Sequence, residues 1–254
     1  MHSMIEIKNL RKIYLSGAAE VKAVDGIDLS VHKGEIFGFL GPNGAGKTTT
    51  MRILTTLLKP TSGTVHVAGF DLGAEPDMVR KSIGYVSQTG GLERSATARE
   101  NLVLQARLYG MSKTDAQERA AELINSLGIA AFADRLVETY SGGQRRRADI
   151  ALGMVHKPKL LFLDEPTIAL DPQSRAQIWE EIKKLKTHGT TIFFTTHYLD
   201  EADIYCDRIA IVDNGKIVAL GTPESLKHEI APGKKATLDE VFLEKTGHSF
   251  KQDN

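Results

Sequence analysis

The chain has 254 residues, and its 32 Lys and Arg balance its 32 Asp and Glu, which removes any case for nucleic-acid or acidic-membrane binding by overall charge. A hydrophobic share of 41% with 25% charged residues is ordinary for a globular chain long enough to bury a real α/β core. The single cysteine, Cys206, cannot form an internal disulfide, so a reducing compartment is expected, and no apolar run approaches the roughly 20 residues of a spanning helix.

The segment "MHS" ahead of Met4 is set aside from fold reasoning, and the N-terminus lacks the apolar core of a signal peptide. From Met4 onward, "MIEIKNL", "IDLSV", "EIFGFL" and "TVHVAGF" carry β-branched or aromatic residues at strand spacing, bounded by glycine or charged turns. After "IGYVSQ" the pattern changes. From Thr97 to about Lys157, Leu102, Ala106, Leu108, Tyr109, Ala120, Leu123, Ile124 and Leu127 recur at helical spacing. Within that stretch, "MSKTDAQERAAELINSLG" predicts a capped amphipathic helix ending at Gly128. Strands return in "KLLFLDE" and "TTIFFTTH", separated by the helix "SRAQIWEEIKKLKTHG", an order that implies parallel crossovers. "RIAIVDNGKIVALG" predicts a hairpin about Asp213-Asn214-Gly215. A partly helical, polar tail follows, broken at "APGKK". The expected architecture is an α/β domain over residues 4–221. It has a parallel sheet core, an antiparallel β region and a helical subdomain inserted at about 89–157, with a helical tail over 222–254.

Two stretches offer anion-binding helix starts. In "GPNGAGKTTT", following an apolar strand and opening a helix, Gly41, Gly44 and Gly46 let backbone N–H groups turn inward around a phosphate chain. Lys47 supplies a point charge for the terminal phosphates, and the Thr48 hydroxyl can ligate Mg²⁺. Pro42, Asn43, Ala45 and Thr49 complete that loop. The second is "YSGGQ", where Ser141, Gly142, Gly143 and Gln144 open another helix. "KLLFLDE" ends a strand in carboxylates, which places Asp164 at the carboxyl edge of the sheet to hold Mg²⁺. Glu165 points differently and can orient or deprotonate an attacking water.

"GPNGAGKT", Gln88 after "IGYVS", "YSGGQ", "LLFLDEP" and His197 after "TIFFTT" resemble, in order and over nearly the whole chain, the ATP-binding cassette family. The resemblance implies that ATP lies between two chains packed head to tail, each site made by the phosphate loop of one copy and the Ser141-Gly142-Gly143 turn of the other. It also implies that Gln88 senses Mg²⁺ and water while moving the helical insert, and that His197 touches the γ-phosphate and holds Glu165. By the same resemblance Asp171 in "IALDP" meets the opposite subunit, and Tyr14 in "LRKIY" stacks on adenine. Two positions depart from the family pattern. Tyr140 replaces the usual leucine and should pack under the turn. Ala169 replaces a glycine, which costs energy if its φ is positive.

"QTGGLERSATARENLVLQARLYGM" and "TLDEVFLEKTG" resemble the daunorubicin-type drug-resistance exporters and their polysaccharide or lipid relatives. That implies the ATPase subunit of an exporter, working at the inner face of the cell membrane on a separate transmembrane permease subunit, with no nucleic-acid partner. The competing readings are an importer ATPase, a non-transport cassette ATPase, and a nucleotide switch without hydrolysis, the last opposed by Glu165 and His197.

Overall fold

The computed structural model describes residues 3–16, 19–232 and 235–250. Met1 and His2 of "MHS", and Gly233 and Lys234 of the "APGKK" break, lie outside them. Strand β1 (Ser3–Ser16) pairs antiparallel with β2 (Ala19–His32), so "MIEIKNL" and "IDLSV" are the apolar halves of longer strands. Their outer halves leave Tyr14, Leu15 and Val21 exposed beside polar residues, so no buried alternation marks them and apolar spacing underestimates them. Strand β3 (Ile36–Leu40) runs into the phosphate loop and helix α1 (Lys47–Leu54). "TVHVAGF" holds not one strand but a hairpin. β4 (Ser62–Val67) turns at Ala68 and Gly69, both at positive φ, into β5 (Phe70–Asp71).

Helix α2 (Pro76–Ser82) begins on a proline and leads to β6 (Ile83–Val86). Three helices then intervene: α3 (Ala98–Leu108), α4 (Lys113–Ser126) and α5 (Gly142–Gly153). The predicted helix in this stretch is α4, with Ser112 as its N-cap and Gly128 beyond its end at φ +60. After it come β7 (Leu160–Asp164), α6 (Pro172–Thr187), β8 (Thr191–Thr196) and α7 (Leu199–Tyr205). The chain closes through β9 (Arg208–Asp213), β10 (Lys216–Gly221), α8 (Pro223–Ile230) and α9 (Leu238–Thr246). Residues Lys216 and Asp213 pair across a two-residue turn with Asn214 at φ 46 and Gly215 at φ 76, the left-handed pair such a hairpin requires.

Two sheets result. One is antiparallel, in the order β2-β1-β4-β5. The other has the order β10-β9-β3-β8-β7-β6, parallel from β9 to β6, with β10 added antiparallel at one edge. Every residue of β3, β7 and β8 is buried, as strands covered on both faces must be. Alternation along β8 sorts the core. Phe193 faces the antiparallel sheet and packs on Phe37, Phe39 and Phe162, with ring centres 5.4–5.7 Å apart. Phe194 faces the helices and meets the fully buried Trp179 of α6 edge-on at 4.9 Å. Helices α3, α4 and α5 share that second core.

Candidate active site

The carboxyl ends of β3, β7 and β8 lie side by side, since these strands are parallel neighbours, and the loops leaving them make the site. Leaving β3, the glycine loop is held by close backbone approach. A Cβ on Gly41 would stand 2.4 Å from the Val212 carbonyl, and one on Gly46 would stand 2.2 Å from the Ala23 carbonyl. Gly46 is the N-cap of α1 at φ 101 with no side-chain cap, so the first amides of α1 are presented as an anion cradle. The β9–β10 turn braces this loop from behind. Gly215 donates its amide to the Ala45 carbonyl at 3.1 Å and accepts from the Asp25 amide at 2.8 Å.

A cavity of about 380 Å³ is lined by Pro42, Asn43, Gly44, Gly46, Lys47, Thr48 and Thr49 together with Gln88, Glu165 and His197. Most of the sequence-predicted phosphate and water residues are thus brought together. Ala45 is buried beneath the loop, and Gly41 contributes its carbonyl. The Lys47 ammonium donates to the carbonyls of Gly41 at 2.6 Å and Pro42 at 3.1 Å, and lies 3.5 Å from Glu165 Oε1. Burial pushes the Lys47 pKa down, opposed by the Glu165 charge. Glu165 is anchored on its other oxygen. Its Oε2 lies 2.5 Å from His197 Nδ1, and its backbone sits at φ 48, a left-handed conformation costly for a glutamate.

Asp164 points elsewhere, as the sequence predicts. Only 3% exposed, it accepts from the Thr195 hydroxyl at 2.6 Å. Burial first, and then the neighbouring Glu165 charge, raise its pKa. A carboxylate so disfavoured as an anion gains from a cation beside it. Thr48 and Asp164 are hard oxygen donors of the kind Mg²⁺ takes in ones and twos, completing its shell with water and phosphate. Among the described residues there is no group of three or more His, Cys, Asp and Glu side chains able to hold an ion by themselves, which fits that division of ligands.

The second helix start lies apart. Ser141 caps α5, accepting from the Gln144 amide at 3.3 Å, while the Gln144 side chain accepts from the Ser141 amide at 3.0 Å. Gly143 has no room for a side chain, because a Cβ would stand 2.7 Å from Ser174 Oγ. Gly142 lines a separate cavity of about 420 Å³ with Arg145, Arg146, Asp149 and Ala169, and that cavity shares Gln88, Glu165 and Ile168 with the first. Asp171 caps α6 through the amide and hydroxyl of Ser174 at 2.9 and 2.6 Å. Those bonds, the hydroxyl first, hold its carboxyl below the usual range. Tyr14 stands exposed on β1 with the Lys12 ammonium 5.2 Å from its ring centre, and does not line the cavity.

The two departures have clear local consequences. Tyr140 packs edge-on against Phe132 and donates its hydroxyl to the Phe132 carbonyl at 2.7 Å. Ala169 sits at φ 57, so the conditional cost is realised. Sequence reasoning missed Tyr198, which lines the first cavity and packs on His197, and Arg146, the buried middle of Arg145-Arg146-Arg147. An aromatic directly after His197 was an available signal. For Arg146 there was none. Cys206 packs beside Gly38, and burial pushes its thiol well up, which disfavours the thiolate.

A family model described as "ABC transporter" matches residues 24–168, and one described as "AAA domain, putative AbiEii toxin, Type IV TA system" matches residues 140–199. The chain is 50% identical over 226 residues to the daunorubicin/doxorubicin resistance ATP-binding protein DrrA of Streptomyces peucetius, covering 89% of this chain and 67% of that one. It is 39% identical over 226 residues to the Nod factor export ATP-binding protein I of Cupriavidus metallidurans, covering 89% and 73%. Among solved structures, the dimeric post-hydrolysis state of the ATP-binding cassette MJ0796 bound to ADP and Pi superposes with a TM-score of 0.78 at 30% identity, covering 86% of this chain and 98% of that one. With the lysine loop, the Asp164–Glu165 pair and the Ser141 turn in place, the chain belongs to the ABC transporter family, as a cassette that binds and hydrolyses ATP.

Proposed function

We propose that this chain is the ATP-hydrolysing subunit of an exporter, in which two copies close head to tail over ATP and Mg²⁺ and drive a separate membrane subunit. One observation carries the composite site: the Ser141-Gly142-Gly143 helix start does not line the cavity of its own chain's phosphate loop. A γ-phosphate held by Lys47 and the amides of α1 therefore meets such a helix start only from a second copy. The dimeric cassette structure and the drug-resistance and export names of the relatives support the reading.

Within one site, Lys47 and the loop amides bind the phosphates. Thr48, Asp164 and Gln88 would hold Mg²⁺, which would supply positive charge to offset that of the phosphates. Glu165 accepts the proton of the attacking water at a carboxylate oxygen, and His197 keeps that carboxylate oriented through its bond to Oε2. The partner's Gly142 and Gly143 amides face the terminal phosphate, where negative charge accumulates in the transition state. Asp171 and Ala169 set the loop facing the other copy, and Tyr14 stacks on adenine from the edge of β1. The substrate is a drug-, lipid- or polysaccharide-type molecule carried by the membrane subunit. No helix among the described residues is long and apolar enough to cross a membrane. The exposed Leu104, Leu108 and Tyr109 on and just beyond α3 give the membrane subunit an apolar surface to grip on the cytoplasmic side.

ATP titration of the single chain separates the two cradles. Lys47→Ala lowers affinity by roughly a hundredfold, whereas Ser141→Arg leaves affinity within about threefold and lowers kcat by at least about a hundredfold. If Ser141→Arg weakens ATP binding as much as Lys47→Ala does, both cradles serve one nucleotide in one chain and the composite site is wrong.

A further inference from the structure

Helix α5 is tied to the loop after β6 along most of that loop. Arg145 Nη2 donates to the Thr89 carbonyl at 3.2 Å, and Arg146 Nη1 donates to the Ser87 carbonyl at 2.7 Å. The Asp149 carboxylate accepts from the Gly91 amide at 2.8 Å and the Leu92 amide at 3.3 Å. Gly90 lies between these anchors at φ +79, where a Cβ would stand 2.4 Å from Asp149 Oδ2. The same Arg146 guanidinium also reaches the turn after β7. Its Nη2 donates to the Asp164 carbonyl at 2.8 Å and its Nε to the Pro166 carbonyl at 2.9 Å.

Arg146 is only 7% exposed, and these three hydrogen bonds all end on backbone carbonyls. A buried cation of this kind is costly to keep, and the planar fork is what allows one side chain to fix three separate acceptors. The acceptors bracket the chemistry. Ser87 precedes Gln88, and Asp164 and Pro166 flank Glu165. The helix that carries the guanidinium begins at the Ser141 turn, one and a half turns away.

We propose that Arg146 is a positioning residue for hydrolysis, setting Gln88 against Glu165 and coupling both to the Ser141 turn of the same chain. A shift of that turn against a second copy's nucleotide then moves Gln88 and Glu165 of its own site as one unit. The inference rests on the role given above to Gln88, and on the contact between copies.

The test is steady-state ATP hydrolysis by the full chain carrying Arg146→Lys, alone and combined with Gln88→Ala. Alone, the lysine lowers kcat by roughly tenfold or more with the KM for ATP within about threefold, because phosphate binding is untouched and orientation is lost. In the Gln88→Ala background the same change costs less than it does alone, since the Gln88 half of its route is already cut. An equal loss in both backgrounds overturns the proposal, as does an unchanged kcat. Gln88→Ala alone at the wild-type rate overturns it too, and marks the Gln88 assignment as the part that failed. If Arg146→Lys does not fold, Arg146→Gln, which keeps amide donors without the charge, is read by the same comparison.

Discussion

Glu165 and Ala169 both hold positive φ within five residues of each other, and the two strains have different meanings. At Glu165 the left-handed backbone turns one carboxylate toward Lys47 and His197 directly after Asp164 has turned the other toward Thr195. At Ala169 the left-handed backbone carries a methyl group that glycine would shed. Ala169→Gly is therefore expected to stabilise the chain by about 1 kcal/mol in urea denaturation, the cost of a left-handed Cβ less the added freedom of the unfolded glycine. Asp164 carries a different cost. Its folded pKa is raised by burial, so its contribution to stability is complete below the unfolded value and is lost as pH rises through the folded one. Asp164→Asn removes that loss. Without nucleotide it should unfold at higher urea than the wild type at about pH 7.5, with the difference shrinking toward about pH 4, while Mg²⁺-dependent hydrolysis disappears. A wild-type midpoint equal to or above that of the variant at the higher pH would show that Thr195 and Lys47 already compensate the buried charge.

The elements that position chemistry were largely legible. An apolar strand followed by a glycine loop identified β3 and α1, and "KLLFLDE" and "TIFFTTH" identified β7 and β8, because fully buried parallel strands read as unbroken apolar runs. The Ser141 turn was legible as a helix start, and its capping box satisfies the spacing of Ser141 and Gln144. The outer halves of β1 and β2 were not, since Tyr14, Leu15 and Val21 stay exposed there and no buried alternation marks the pairing. Nor was the burial of Arg146, whose neighbours in sequence both face solvent more fully. The need for glycine at 46 could be stated from the motif, but its cause is the Ala23 carbonyl of β2, distant in sequence. Gly46→Ala combines that approach with φ 101, so it should cost roughly 3 kcal/mol or more in thermal unfolding and abolish ATP binding. A variant with wild-type melting and affinity would mean the loop relaxes freely.

Across the whole molecule, the antiparallel sheet with α1 covers one face of the parallel sheet and the helices α3–α6 cover the other. The phosphate loop therefore belongs to one layer and the Ser141 turn to the other. An apolar stripe remains on α3, with Leu104 59% and Leu108 73% exposed. Leu104→Asp with Leu108→Asp should release the chain from its membrane subunit in co-purification while leaving ATP binding by the free chain unchanged. Retention of the subunit would place the docking surface elsewhere. The most direct measurement is the mass in solution of the Glu165→Gln chain at saturating ATP and Mg²⁺, free and with its membrane subunit, with and without Ser141→Arg. The account predicts paired chains with Ser141 intact and single chains with arginine there. Single chains throughout, or pairing that survives the arginine, would contradict it.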